Sequence, residues 1–162
     1  MPQPSAVPLP LPDAQEIQAL IDSQLHLEGP LLPIFHALQA AFGYIPESAI
    51  PMIASALNIT GAEVHGVMSF YHDFRTVPAG RRVLKICRSE ACQAVGGDVM
   101  AEAVLKKHRL DWHQTTRDGA LTVEPVYCLG LCACGPAAMM DGKVIGRLDE
   151  AGMDRILTEA GA

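Results

Sequence analysis

Four cysteines have the type and spacing to do chemistry: Cys87 and Cys92 in ICRSEAC, and Cys128 and Cys132 in YCLGLCACG. They form two close pairs separated by a stretch long enough for a full supersecondary unit, which reads as a metal cage closed by two loops. Thiolates hold iron and sulfide together, and a [2Fe–2S] cluster takes four of them, two for each iron. Spacers of four and three residues let each pair reach one iron. Structural zinc also accepts four cysteines in two pairs, and spacing alone does not separate the two metals. The surroundings favour iron–sulfur. The stretch YCLGLCACGPAAMM is apolar and carries glycine, with no Lys, Arg, Asp or Glu before Asp141. Such a loop can turn backbone N–H groups onto sulfur, one of the levers on reduction potential.

Other candidates have plainer readings. His26, His36, His65, His72, His108 and His113 lack the spacing to replace a cysteine. Cys134 is one residue beyond Cys132 and reads as a non-ligand. Met139 and Met140 read as core packing, methionine being a common gap-filler. No catalytic residue is assigned. No G-x-G-x-x-G follows a strand, so NAD and flavin are expected elsewhere. Neither cysteine pair is the C-x-x-C of a dithiol oxidoreductase.

Charge narrows the partners. The 162 residues carry a formal charge of −6, which argues against nucleic acid. No Lys or Arg precedes Arg75, while seven acids do. The N-terminus has neither a basic secretory n-region nor an Arg-rich presequence pattern, and no apolar run reaches the ~18 residues of a membrane span. A cytoplasmic protein without membrane insertion is the expectation, and in a reducing compartment the five cysteines read as ligands or free thiols.

Several elements must position the cysteines. Residues 1–12 (MPQPSAVPLPLP) read as a disordered Pro-rich arm. Asp13 can cap a helix bearing Ile17, Leu20, Ile21 and Leu25, ended by Gly29–Pro30. A second helix carries Leu31, Ile34, Phe35, Leu38 and Phe42, closed by Gly43. A third runs from Pro46 to Leu57, with Pro51 kinking it or delaying its start. Thr60 and Glu63 have capping-box spacing ahead of a fourth, with Val64, Val67, Met68 and Tyr71 on its apolar face. Residues 13–75 thus read as a helical bundle. Thr76–Gly80 is the expected boundary before a second domain at 81–162.

There the period changes. RRVLKIC alternates as a strand that delivers Cys87, and Cys92 is expected to open a helix to about His108, with Gly96–Gly97 near its start allowing close backbone approach. Hairpins follow around Arg117–Asp118–Gly119 and Asp141–Gly142. Pro125 implies an unpaired edge position on the strand before Cys128, and Asp149 caps a last helix. The fold class is therefore α/β: a helical bundle, then a compact α/β layer.

ICRSEAC, YCLGLCACGPAAM with DGKVIGRL behind it, and the upstream FGYIPESAI and VHGVMSFYHDFR resemble the thioredoxin-like [2Fe–2S] ferredoxin family, which includes the 24 kDa subunit of respiratory complex I. The resemblance covers roughly residues 25–155. It implies a thioredoxin-like layer, a [2Fe–2S] cluster on Cys87, Cys92, Cys128 and Cys132, and FMN and NAD on a neighbouring flavin- and NAD-binding subunit. Within the family, CLGLCACGPA with its extra cysteine is most similar to the gamma subunit of the cytoplasmic NAD-dependent molybdenum formate dehydrogenase. That likeness implies a larger iron–sulfur/molybdenum catalytic subunit beyond the flavin subunit. The complex I subunit and the diaphorase part of an NAD-linked hydrogenase remain alternatives, and a zinc-binding structural subunit is the alternative of another class.

Overall fold

The computed structural model describes residues 12–159 and 161. The Pro-rich arm expected over residues 1–12 lies, but for Pro12, outside them. The chain divides between Pro78 and Ala79 into two compact units.

The first unit is a four-helix assembly, α1 (Ala14–Gln24), α2 (Leu31–Phe42), α3 (Ala49–Leu57) and α4 (Gly61–Phe70). Ile17, Ile21, Ile34, Phe35, Leu38, Ile53, Val64 and Met68 meet in one buried core, so the apolar stripes of all four helices converge. Gly43 closes α2 in the left-handed region, at φ 78°. Pro51 falls in the first turn of α3, where its missing N–H costs no intrahelical bond; the helix starts late rather than kinking. The Thr60–Glu63 capping box forms in full: Glu63 N–H donates to Thr60 Oγ1 and Thr60 N–H to the Glu63 carboxylate. Asp13 stands at the N-cap of α1, but its side chain makes no capping hydrogen bond. The Gln39 side chain donates to Asp73 O (2.8 Å) and accepts from Arg75 N (2.7 Å), which ties down the chain leaving α4.

The second unit is a five-stranded mixed sheet in the order β2-β3-β1-β4-β5. Its strands are β1 (Arg82–Cys87), β2 (Gln114–Thr115), β3 (Leu121–Val126), β4 (Ala138–Met140) and β5 (Lys143–Ile145), and its helices are α5 (Glu90–Gln93), α6 (Gly97–His108) and α7 (Glu150–Glu159). β1 and β3 run parallel, and the other pairs are antiparallel. Leu84 and Ile86 of β1 pack with Ala101 and Val104 of α6 and Met153 and Leu157 of α7, so both long helices serve one core. On the alternate register Lys85 and Glu124 pair at 3.7 Å, and Thr122 shares its hydroxyl with Thr115 and accepts from Gly80 N–H. These contacts satisfy polar groups that burial would otherwise penalise.

Asp141 and Gly142 both take positive φ, as a two-residue type I′ turn requires. Asp149 accepts from Gly152 N–H at 2.7 Å and so caps α7. Pro125 lies opposite Ile86 of β1, and on its other side β2 is too short to reach it, so no ladder donor is missed. One expectation fails: no continuous helix runs from Cys92 to His108. Gly96 turns left-handed (φ 91°) and splits the stretch into α5, which carries Cys92, and α6. No helix among the described residues is long and apolar enough to cross a membrane.

Candidate metal centre

Parallel pairing of β1 and β3 makes the centre possible. With Cys87 in register with Val126, the C-terminal ends of both strands leave the sheet at the same end, and the loop after each carries one cysteine pair. The backbone fastens the two loops together: Cys87 N–H donates to Ala137 O (3.0 Å) and Arg88 N–H to Val126 O (2.7 Å). Cys87, Cys92 and Ala137 form a small buried cluster with Val126, Leu129 and Leu131 against it.

The two pairs differ in setting. Cys87 and Cys92 are 2% and 1% exposed, whereas Cys128 and Cys132 stand at the surface. Cys92 is placed by the one-turn helix α5, whose first N–H bonds return to Ser89 O. Two glycines leave room around it. A Cβ on Gly97 would come 2.7 Å from Cys92 O, and one on Gly135 would stand 3.3 Å from Cys92 Sγ. On the other loop Cys128 takes φ 111°, a region L-residues rarely occupy. Its sulfur accepts from Gly130 N–H at 3.3 Å and lies 3.6 Å from Cys132 Sγ. Cys132 begins a 3₁₀ turn, Cys132–Cys134.

Electrostatics tie the loops to one another. Burial pushes the Cys87 thiol up, but hydrogen bonding from Ser89, whose hydroxyl is 3.2 Å from Cys87 Sγ, from Cys92 and from Leu129 N–H outweighs it and holds the thiol below its ordinary value. Cys92 is pushed up by burial and by the neighbouring Cys87 sulfur, against a hydrogen bond from the Ala137 backbone. Cys132 is pushed up by its hydrogen bond and repulsion with Cys128, with smaller repulsion from Cys92 and Cys87. The Cys132 sulfur thus feels those of Cys128, Cys92 and Cys87, so sulfurs of the two loops lie within electrostatic reach of one another.

The structure thus brings Cys87, Cys92, Cys128 and Cys132 to one end of the sheet, beyond the C-terminal ends of β1 and β3. Cys134 sits half-buried at the end of the 3₁₀ turn, where its carbonyl accepts from Arg147 N–H at 2.6 Å. Met140 packs into the sheet core, and Met139 lies on the alternate register opposite Lys85. His36 stacks edge-on against Phe74 within the helical unit. Among the described residues no three His, Cys, Asp or Glu side chains converge closely enough to hold a single ion.

Some groups at the centre escape sequence reasoning. Leu129 and Ala137 act through backbone N–H groups, which no residue type advertises. Arg88, beside Cys87, is held over the Trp112 ring (5.2 Å) and near Asp98 (3.6 Å). Ser89 was legible in principle, as a hydroxyl two residues beyond a cysteine.

The donor set fits a [2Fe–2S] group: four soft sulfurs in two pairs, N–H groups turned onto three of them, and glycine where a side chain would crowd Cys92. Comparison with known proteins points the same way. The sequence profile of the thioredoxin-like [2Fe–2S] ferredoxins matches residues 17–161. The chain is 32% identical over 156 residues to the NADP-reducing hydrogenase subunit HndA of Solidesulfovibrio fructosivorans, covering 96% of this chain and 91% of that one. It is 37% identical over 131 residues to a subunit of the NADH-quinone oxidoreductase of Escherichia coli K12, covering 79% of each. Among solved structures, an NAD+-reducing [NiFe]-hydrogenase in the H2-reduced state superimposes with a TM-score of 0.66 at 24% identity over 78% of this chain. This chain spans 22% of that one, and the likeness is one of fold.

Proposed function

This chain belongs to the thioredoxin-like [2Fe–2S] ferredoxin family, and on that premise we propose that it is an electron-transfer subunit of a multi-subunit NAD-linked oxidoreductase, with Cys87, Cys92, Cys128 and Cys132 as the cluster ligands. One observation carries the reading: two cysteine loops leave the adjacent ends of β1 and β3, and backbone N–H groups of the second loop turn onto sulfurs of the first. When bound, the cluster supplies one-electron storage.

The chain's residues do the rest. Cys87 and Cys92, both buried, would hold the cluster from the first loop, and Cys128 and Cys132, both exposed, would hold it from the second. Leu129, Ala137 and Gly130 N–H groups and the Ser89 hydroxyl stabilise negative charge on sulfur, which raises the ease of reduction relative to a bare thiolate cage. No side chain need act as acid, base or nucleophile.

The finer reading is the gamma subunit of a cytoplasmic NAD-dependent molybdenum formate dehydrogenase, working beside a flavin- and NAD-binding subunit that carries FMN. The CLGLCACGPA stretch supports it. The relatives named for a hydrogenase and for NADH-quinone oxidoreductase support the coarser class and keep those two assemblies as the competing readings. Purifying the native complex without oxygen and offering formate, NADH and hydrogen as donors tests the choice. Cluster reduction by formate through the intact complex is the expected result, and reduction by hydrogen or NADH with none by formate would reassign the subunit. A complex without flavin would overturn the flavin-bearing partner, and a chain without iron and sulfide the electron-transfer reading itself.

A further inference from the structure

An aromatic ladder climbs from the core of the helical unit to its surface. Phe35, fully buried in α2, meets Phe74 edge-on with ring centroids 5.1 Å apart. Phe74 meets Tyr71 at 6.1 Å, and Tyr71 meets Phe70 at 5.1 Å and 83°. Phe70 itself, the last residue of α4, is 73% exposed, and Tyr71 is 44% exposed. An exposed phenylalanine ordinarily gains nothing from its position. This one rests edge-on against Tyr71, which Phe74 in turn backs from the core, so its orientation is restricted before anything binds and less rotamer entropy is lost on contact. A preorganised, exposed aromatic pair is the kind of group that anchors protein interfaces.

The charge around the ladder selects the partner. The helical unit, up to Pro78, holds seven acids, one Arg, Arg75, and no Lys. Glu63 lies two helical turns before Phe70 on α4 and so shares its face. The helical unit of a second copy would bring like charge to like charge, and nucleic acid or an anionic membrane would do the same. What fits is a protein surface with an apolar pocket rimmed by Lys and Arg.

We infer that Phe70 and Tyr71 form the anchor by which the helical unit docks into a basic-rimmed apolar pocket on the flavin-binding partner subunit. This rests on the function proposed above. Docking there lets the acidic helices steer the encounter while aromatic burial holds the complex, because at cellular salt exposed charges are screened within about 8 Å.

The test uses the full-length chain, purified in its native complex, and the flavin subunit separated from that complex. Binding is measured at low and at physiological ionic strength. Phe70→Ala should weaken the affinity by about thirtyfold or more, chiefly through faster dissociation, and Phe70→Tyr should retain most of it. The visible spectrum and the melting temperature should stay those of the wild type, since the ring is exposed. Glu28→Lys with Glu47→Lys should slow association and flatten its salt dependence, with dissociation unchanged. If the wild-type chain brings the flavin subunit and Phe70→Ala binds it equally well, the docking inference is overturned while the functional reading stands. If the wild-type chain brings no flavin subunit, that reading falls and the docking inference with it. A wild-type dimer that Phe70→Ala dissolves would assign the anchor to self-association and overturn the inference.

Discussion

Replacing Gly97 by alanine sets two effects of comparable size against each other. Gly97 opens α6 with helical backbone, so alanine meets no strain, and helix propensity favours it by at most about 0.8–1.0 kcal/mol, less at a first-turn position. Against this, the new Cβ would lie 2.7 Å from Cys92 O and 3.0 Å from Cys92 C, where ordinary contact begins at 3.4 Å. These are backbone atoms of the neighbouring short helix and cannot rotate away. Overpacking of this kind costs about 1–3 kcal/mol. The clash wins, leaving a net loss of about 1–2 kcal/mol and, for a chain of this size, a fall in melting temperature of about 2–8 °C. The residue that must shift is Cys92, so the visible circular dichroism and EPR of the bound cluster should change with it. The assay is thermal unfolding of the loaded protein beside those spectra. A melting temperature that rises, with spectra unchanged, would refute the claim that Gly97 lets α6 close on Cys92.

Thr60→Ala removes the N-cap of α4 and should cost about 1 kcal/mol by chemical denaturation; no loss would mean the capping box contributes nothing. The Thr60 N–H and hydroxyl hold the Glu63 carboxyl below the usual carboxylate range. The carboxylate half of the box therefore stabilises above that range and is lost as pH falls through the lowered value, so the stability gap between wild type and Thr60→Ala should narrow in acid while the bond from Glu63 N–H to Thr60 Oγ1 keeps part of it. Cys134→Ser should keep full iron and sulfide, because its backbone is bound to Arg147 and Cys128 and Cys132 already form the outer pair; loss of iron there, with Cys132→Ser retaining it, would exchange the two assignments. Deleting residues 1–73 should leave a red-brown fragment that no longer co-purifies with a flavin subunit, and a fragment unable to hold iron would show that the two units fold as one.

Where local chemistry decides, the sequence was legible. Thr60 and Glu63 announce a capping box, Gly43 a left-handed helix end, and Leu84 and Ile86 a strand with one buried face; each is a short-range rule with no competitor. The cysteine pairs were legible for the same reason, since thiolate chemistry and spacing belong to the residues themselves. Long-range or conformational facts were not. Gly96–Gly97 reads as two glycines in one helix, and only the approach of Gly97 to Cys92 O shows why the helix must break there. Nothing local says that β1 pairs with β4 on one side and β3 on the other, yet that order brings the two loops together. The positive φ of Cys128 is likewise invisible, because any residue but glycine argues against it. Asp13 has the right chemistry for a cap and does not use its side chain, a reminder that the N-cap preference is statistical.

The measurement that bears most directly on the account is the iron and acid-labile sulfide content of the chain purified without oxygen, taken for the wild type and for serine at each of Cys87, Cys92, Cys128 and Cys132. The expected result is about two iron and two sulfide per wild-type chain, with an EPR signal on reduction, and loss or severe destabilisation of both in every one of the four variants. A colourless wild-type protein with one zinc and no sulfide would contradict it, and so would any of the four variants that keeps its full iron and an unchanged spectrum.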